Sequence, residues 1–337
     1  MSVRDQYLAK MTEDLAENSA SLQKLNTIFI GGGTPSQLSP TELETLMKSI
    51  RSSVTLNEGY EFTVEINPGT ISKEKLQVLK DYGVNRLSYG GQTTTRKIRS
   101  RLGHRTTHEQ LLDAVRMSRE VGFDNLNIDL IYGVPGQTLE DWEGDLKELL
   151  SLDLKHFSAY SLILEEGSVL SERYSEVDDD LAVDMYHMTE DYAQKFGLSR
   201  YEVSNYSQPG FECRHNFDIW LGASYLGIGP AASSFDGVDR WNQIADLKKW
   251  LLGTEADYDR IEPFQRACEV MIFGLRTMRG WKESELQSLF AKDVFTIEEF
   301  PLVELIDEGL LVRDAGYLRP TEEGLLFADT VAEALLV

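Results

Sequence analysis

Three consecutive glycines, Gly31, Gly32 and Gly33, followed by Thr34, Pro35 and Ser36, end the apolar run in IFIGGGTPS. Without side chains the backbone N–H and C=O groups are open to a ligand, although a tight turn would use the same residues. Three more polar residues stand at corresponding places in later runs: Glu65 in VEINPG, Gln92 in SYGGQ and Asp129 in NIDLIYGVPGQT. A lone carboxylate there could simply cap the next helix. Several such groups on successive strand ends converge on one mouth if the strands form a barrel. Together they could grip the ribose hydroxyls and ammonium of a nucleoside-like ligand. None has the spacing of a carboxylate pair, a Ser–His pair or a metal motif, so no residue is assigned a catalytic or metal-binding role. Two other clusters carry chemistry. Arg96, Lys97, Arg99, Arg101, His104 and Arg105 form a basic run that could receive a carboxylate-bearing ligand or be a solvated helix face. In ECRHNFDIW, Cys213 and His215 are haem-iron ligands by residue type, while a buried cysteine and a satisfied histidine are the plainer account. Their spacing matches no zinc pattern.

The elements that must position these residues alternate. Short β-branched or aromatic runs occur at Asn26–Ile30, Tyr60–Ile66, Val84–Tyr89, Asn125–Tyr132, His156–Leu164 and Arg200–Tyr206. Between them, Ser39-Pro40 with Glu42, and Thr107 with Gln110, are helix starts with capping boxes. Ser72 is a cap for Lys73–Asp81, and Gly83 and Gly122 sit just past helix ends. Strands that alternate with helices imply a parallel sheet. Six units would make an open or closed (β/α) barrel, or a doubly wound sheet. The pattern changes near Phe235: Asp239–Leu252 reads as one amphipathic helix and Gly253–Pro263 as a polar connection. Helices over Gln265–Met278, Lys282–Phe290 and Pro301–Glu308 then precede a hairpin with Gly316 in its turn, a winged-helix-like ending. The domain reading is therefore 1–252, a connection 253–263, and 264–337.

Composition excludes several classes. Of 337 residues, 33 are Lys or Arg and 56 Asp or Glu, a formal net charge of −23 that argues against nucleic-acid backbone binding. No apolar stretch approaches the roughly 20 residues of a membrane span, and the opening residues lack the pattern of a secretory signal. Two cysteines, Cys213 and Cys268, exclude a disulfide scaffold and a cysteine-ligated cluster built from this chain alone. The expected location is cytoplasmic.

Read in order, GGGTPS, EINPGT, GVNRLSYGGQ, NIDLIYGVPGQT, SAYSLILEEGS and YEVSNYSQPGFECRHN…YLGIG resemble the oxygen-independent coproporphyrinogen III oxidase-like radical SAM proteins, particularly their haem chaperone (HemW-type) branch. The resemblance covers nearly the whole chain. It implies an α/β fold, a partial (β/α)6 radical SAM barrel missing its first strand, with a small, mainly helical C-terminal domain. It also implies that Gly32, Gly33 and Thr34 hold the amino-acid part of S-adenosylmethionine, with Glu65, Gln92 and Asp129 contacting the rest. His215, in the HN motif, becomes the candidate haem-binding residue, and haem or porphyrin and a haem-acceptor protein become the expected partners.

Departures from the family pattern modify these expectations. Family members open with a strand leading into CxxxCxxC, whose cysteines ligate a [4Fe–4S] cluster. MSVRDQYLAKMTEDL resembles the helix after that loop, so the strand and all three ligands are missing here. Without a cluster no electron reaches the sulfonium, and no radical chemistry is expected of this chain. The hydrogen-bonding edge of Asn26–Ile30 would also be left open, an edge through which the chain could associate. His104 stands where the family usually has an arginine, Tyr89 and Gly91 replace aliphatic residues, Ile219 replaces the usual tyrosine of the haem signature, and PAASS replaces a stretch that often has a histidine. The expected function is that of a haem chaperone-type protein binding haem and S-adenosylmethionine. The alternatives are oxidative decarboxylation of porphyrinogen propionates, or a non-catalytic remnant that keeps a nucleoside pocket.

Overall fold

The computed structural model describes residues 2–164, 167–168, 170–174 and 178–336. Glu165 and Glu166 of SAYSLILEEGS lie outside the described residues. Two compact units emerge: one contains Leu15–Arg200 with Ser204–Glu212, the other the residues up to Asp14, Tyr201–Val203 and everything from Cys213 onward. This division differs from a boundary at 252, because the segment from Cys213 groups with the C-terminal helices.

In the larger unit, helix α1 (Val3–Glu17), which begins in the other unit, leads to β1 (Leu25–Ile30). Then follow α2 (Pro40–Ser53), β2 (Leu56–Ile66), α3 (Lys73–Asp81), β3 (Arg86–Gln92), α4 (Arg96–Arg101), α5 (His108–Val121), β4 (Asn125–Tyr132), α6 (Leu139–Leu150) and β5 (His156–Ser161). Helix α7 (Asp179–Lys195) and the short strands β6 (Ser199–Arg200) and β7 (Asn205–Ser207) complete it. The helix starts follow the expected chemistry. Ser39 with Glu42 and Thr107 with Gln110 both form reciprocal capping boxes, and Ser72 accepts from the Lys75 N–H. Gly83 and Gly122 adopt left-handed conformations, with φ of 90° and 93°.

The sheet order is β1-β2-β3-β4-β5-β7-β6, with the first five strands parallel. The sixth expected run departs from this pattern. Its middle residues, Tyr201–Val203, leave the sheet and hydrogen-bond to the segment around Arg276–Met278, and β7 returns antiparallel to β5. Within the five parallel strands one face is apolar and buried, with Phe62, Val64, Leu87, Tyr89, Leu126, Ile128 and Phe157. The departures at Tyr89 and Gly91 belong to this face. The Tyr89 hydroxyl is 2.6 Å from Ser118 Oγ on α5, and a Cβ on Gly91 would come within 2.6 Å of Ile128 and 3.2 Å of Leu111. The strand therefore carries a long side chain followed by none.

In the second unit, α8 (Arg214–Trp220) precedes an antiparallel sheet of β8 (Ser233–Phe235), β9 (Arg240–Asn242) and β10 (Asp257–Asp259), with α9 (Leu247–Leu251) between the last two. The single helix expected over Asp239–Leu252 does not form. Residues 240–242 pair with strands on both sides, and the helix restarts only at Asp246, whose side chain caps Lys249. Then come α10 (Pro263–Gly274), β11 (Trp281–Lys282), α11 (Glu283–Phe290), α12 (Leu302–Asp307), the hairpin β12 (Leu311–Asp314) and β13 (Tyr317–Pro320), α13 (Glu322–Leu326) and α14 (Ala328–Leu335). Strands β11, β13 and β12 form a small antiparallel wing over a core that includes Met271, Trp281, Leu286, Leu305 and Leu318. Trp281 donates its indole N–H to Met271 C=O at 2.9 Å.

Candidate functional site

Side chains alternate across a strand, so residues paired in register share a face. On β2 to β5 the face opposite the apolar one is polar. Thr63 pairs with Arg86, Glu65 with Ser88, Ser88 with Asn127, Asn127 with His156, and Asp129 with both Gly90 and Ser158. The antiparallel return keeps the pattern, since Ser158 pairs with Asn205 and His156 with Ser207. Arg86, Asn127, His156, Ser158 and Asn205 are buried. Sequence reasoning passed over them, although the signal was present as polar residues at every second position in YEFTVEI, NRLSYGG and NLNIDL.

At the C-terminal ends of these strands the glycine loop has three distinct requirements. A Cβ on Gly31 would lie 2.6 Å from the Glu65 carboxyl carbon and 2.7 Å from the Phe29 ring. Gly32 has φ of 78°, and its N–H donates to Glu65 Oε2 at 3.0 Å. Gly33 has neither constraint: its φ is ordinary and a Cβ would meet nothing within 4 Å. Thr34 then leads into a short turn at Pro35–Gln37, its C=O accepting from the Gln37 N–H at 2.9 Å. The next strand's loop braces this one. Ser36 Oγ lies 2.7 Å from Thr70 Oγ1 and accepts from the Asn67 N–H, while Lys75 Nζ donates to the carbonyls of both Ser36 and Thr70.

Glu65 and Asp129 both hold their protons more tightly than ordinary carboxyls. For Glu65 the main cause is burial; the Gly32 N–H partly offsets it, and the Asp129 charge adds to it. For Asp129 burial also dominates, opposed by hydrogen bonds from Ser158, Asn127 and Ser88 and by the Arg86 charge. Asp129 keeps a little exposed surface although protein surrounds it. Gln92 sits at an irregular point of β3, where the register slips after Gly90, with a left-handed φ of 61°. Its amide nitrogen lies 3.0 Å from where a Gly90 Cβ would stand, folding it over the Gly90–Asp129 pair. Gly32, Glu65, Gln92 and Asp129 thus gather at one end of one polar face.

The basic run divides. Arg99 is buried, and its guanidinium donates to the carbonyls of Thr93 and Thr94. Arg101 donates to Pro135 C=O. Arg96, Lys97 and Arg105 are exposed. His104 is partly buried and resists protonation, through that burial and the nearby Arg99 charge. The helix face is therefore partly solvated, and two of its arginines brace loops. The other clamp is Asp145 on α6, fully buried, which accepts from Thr93 Oγ1 at 2.6 Å, Thr94 N–H at 2.7 Å and Thr94 Oγ1 at 2.5 Å.

The HN motif lies in the second unit. Cys213 is buried at the start of α8, its N–H donating to Tyr201 Oη at 3.1 Å. His215 is partly buried on that helix. Ile219, one turn on, lines a small open hollow with Tyr225, Phe235, Arg240, Val270 and Phe273. No grouping of three His, Cys, Asp or Glu suited to a metal occurs among the described residues. Nor, among them, is any helix long and apolar enough to cross a membrane.

Residues 4–149 match the Radical SAM superfamily, and residues 261–327 match the HemN C-terminal domain. The fold agrees with that of the radical SAM enzyme HemN, coproporphyrinogen III oxidase from Escherichia coli. The TM-score is 0.84 at 21% identity, covering 99% of this chain and 83% of that one. A polar-faced partial barrel with a glycine loop at its strand ends and a small C-terminal wing is thus the architecture of a radical SAM protein. More closely, the chain is 34% identical to the heme chaperone HemW of Lactococcus lactis subsp. lactis (strain IL1403) over 99% of its own length and 90% of that protein's. It is 30% identical to the heme chaperone HemW of Escherichia coli (strain K12), over 98% and 90%. The chain belongs to the HemW family.

The strand-end residues fit S-adenosylmethionine. The open backbone at Gly33 gives a ligand direct approach, and two partly buried carboxyls offer acceptors and negative charge to a cationic nucleoside. Cys213 and Cys268 are both buried in the second unit and do not form the three-thiolate loop that ligates a [4Fe–4S] cluster.

Proposed function

We propose that the protein is a haem chaperone that binds S-adenosylmethionine at the strand ends and haem through His215, for delivery to an acceptor protein. The observation that carries this reading is the full-length similarity to HemW proteins, together with the HN motif on α8. In this reading Gly32, Gly33 and Thr34 take the amino-acid part of the ligand. Glu65, hydrogen-bonded to the glycine loop, supplies a counter-charge, and Asp129 and Gln92 offer acceptors and a donor to the ribose and base. S-adenosylmethionine contributes a sulfonium and an adenosine to recognise, and no radical step is assigned to these residues. The solved oxidase structure, 21% identical, supports the fold and does not separate that alternative from the chaperone reading.

The test is a spectrophotometric haem titration of the full chain and of His215→Ala, beside calorimetric binding of S-adenosylmethionine. Expected is saturable haem binding that His215→Ala abolishes while S-adenosylmethionine affinity stays unchanged. Haem binding indifferent to His215, or turnover of coproporphyrinogen with release of CO2, would overturn the reading.

A further inference from the structure

We infer that Asn127 and His156 are positioning residues that fix the carboxylate of Asp129 for a ribose diol. Resting on the reading of the strand ends as an S-adenosylmethionine site, the inference concerns the row of residues beneath it. Asn127 lies two residues before Asp129 on the same face of β4, in register with Ser88 on β3 and His156 on β5. These three form a buried floor, 6%, 2% and 0% exposed for Ser88, Asn127 and His156. Asp129 stands one row nearer the strand ends.

The hydrogen bonds in this floor have one consistent direction. Asn127 Nδ2 lies 2.8 Å from Asp129 Oδ1 and 2.7 Å from Ser88 Oγ, and Ser88 Oγ lies 3.2 Å from Asp129 Oδ2. An ionised carboxylate only accepts, so the amide nitrogen must face Asp129 and the amide oxygen must face away. That oxygen is 2.7 Å from His156 Nδ1, which must therefore carry the proton and donate it. Burial and the neighbouring Arg86 charge keep His156 neutral, which leaves the ring one N–H to place. The histidine thus sets the orientation of the amide. The amide and Ser88 then hold one oxygen each of the carboxylate from below, with the Ser158 hydroxyl as a third donor, and a diol would meet the carboxylate from the strand ends. Two hydroxyls of a vicinal diol need two acceptors at fixed spacing, and a carboxylate already held in plane supplies them without losing rotamer freedom on binding.

The experiment compares S-adenosylhomocysteine with its analogue lacking the 2′- and 3′-hydroxyls, by calorimetry on the full chain. Wild type should prefer the hydroxylated ligand by about 100-fold, the scale of hydrogen bonds to a charged acceptor. Asn127→Ala and His156→Leu should shrink that preference to under about 10-fold while affinity for the deoxy analogue holds within about twofold. His156→Gln, whose amide can still donate, should retain most of the preference and covers the case of an unfolded Asn127→Ala. Equal weakening of both ligands, or an unchanged preference in Asn127→Ala and His156→Leu, would overturn the positioning role. A separate arm tests the underlying reading. If Asp129→Asn keeps the wild-type preference, or wild type binds neither ligand, the strand-end site itself is wrong and the inference falls with it.

Discussion

Gly31 and Glu65 approach so closely across β1 and β2 that a methyl group on the glycine would stand 2.6 Å from the carboxyl carbon. The glycine loop and the first strand-end carboxylate are therefore one unit. Gly31→Ala should push Glu65 and Phe29 aside, lower stability by about 1–3 kcal/mol and weaken S-adenosylmethionine binding. Gly33→Ala meets nothing and should leave the unfolding midpoint unchanged, so any affinity lost there reports the ligand directly. Equal melting temperatures for wild type and Gly31→Ala would refute the close approach.

Acid affects Glu65 and Asp129 in two opposite ways. Their folded pKa values are raised, so as pH falls the folded state takes up protons before the unfolded chain does. These two groups accordingly favour the ligand-free fold as pH falls, and their contribution is lost as pH rises through the raised values. Ligand affinity should run the other way, weakening on acidification at a pH above the ordinary carboxylate value of about 4. Glu65→Gln should bind S-adenosylmethionine poorly yet melt no lower than wild type at neutral pH. A lower midpoint with unchanged affinity would make Glu65 structural.

Asp145 satisfies two threonines of the loop after β3 without reaching the strand-end residues named above. Asp145→Ala leaves the buried Thr93 hydroxyl and the half-buried Thr94 donors without their acceptor and should cost about 2–4 kcal/mol in denaturant unfolding. A cost below about 0.5 kcal/mol, the range of ordinary surface substitutions, would mean that water takes over the clamp.

His215 and Ile219 are one turn apart on α8 and so lie on the same side of the helix. Ile219→Tyr restores the residue usual in the family signature, at a position that borders open space. Haem affinity should rise by about tenfold, with a changed absorption spectrum. An unaltered titration curve would dissociate the hollow from haem.

In the wing, Ala315 holds a left-handed φ of 50° beside Gly316 at 77°, the two-residue link of the β12–β13 hairpin. A side chain at such a position is strained, so Ala315→Asn should add about 0.5–1 kcal/mol, read as a higher thermal midpoint. A lower midpoint would show that the alanine methyl contributes packing.

Much of this was written in local order. Capping boxes at Ser39 and Thr107, left-handed glycines at Gly83 and Gly122, and polar residues at the ends of successive strands depend on neighbours a few residues away, which a sequence displays directly. The ordered motifs likewise carried the family. Tertiary structure decided what depends on register and on competition between partners. The run Arg200–Tyr206 has the composition of a strand, yet its centre pairs with Arg276–Met278 and its end turns antiparallel. Residues 240–242 could extend a helix, but strands on both sides claim their backbone. The basic run reads as one patch until Arg99 and Arg101 are found holding loop carbonyls. Asn127 and His156, 29 residues apart, become partners only when two parallel strands align them. Side-chain type is local, whereas the identity of the group it meets is fixed by how distant strands come into register.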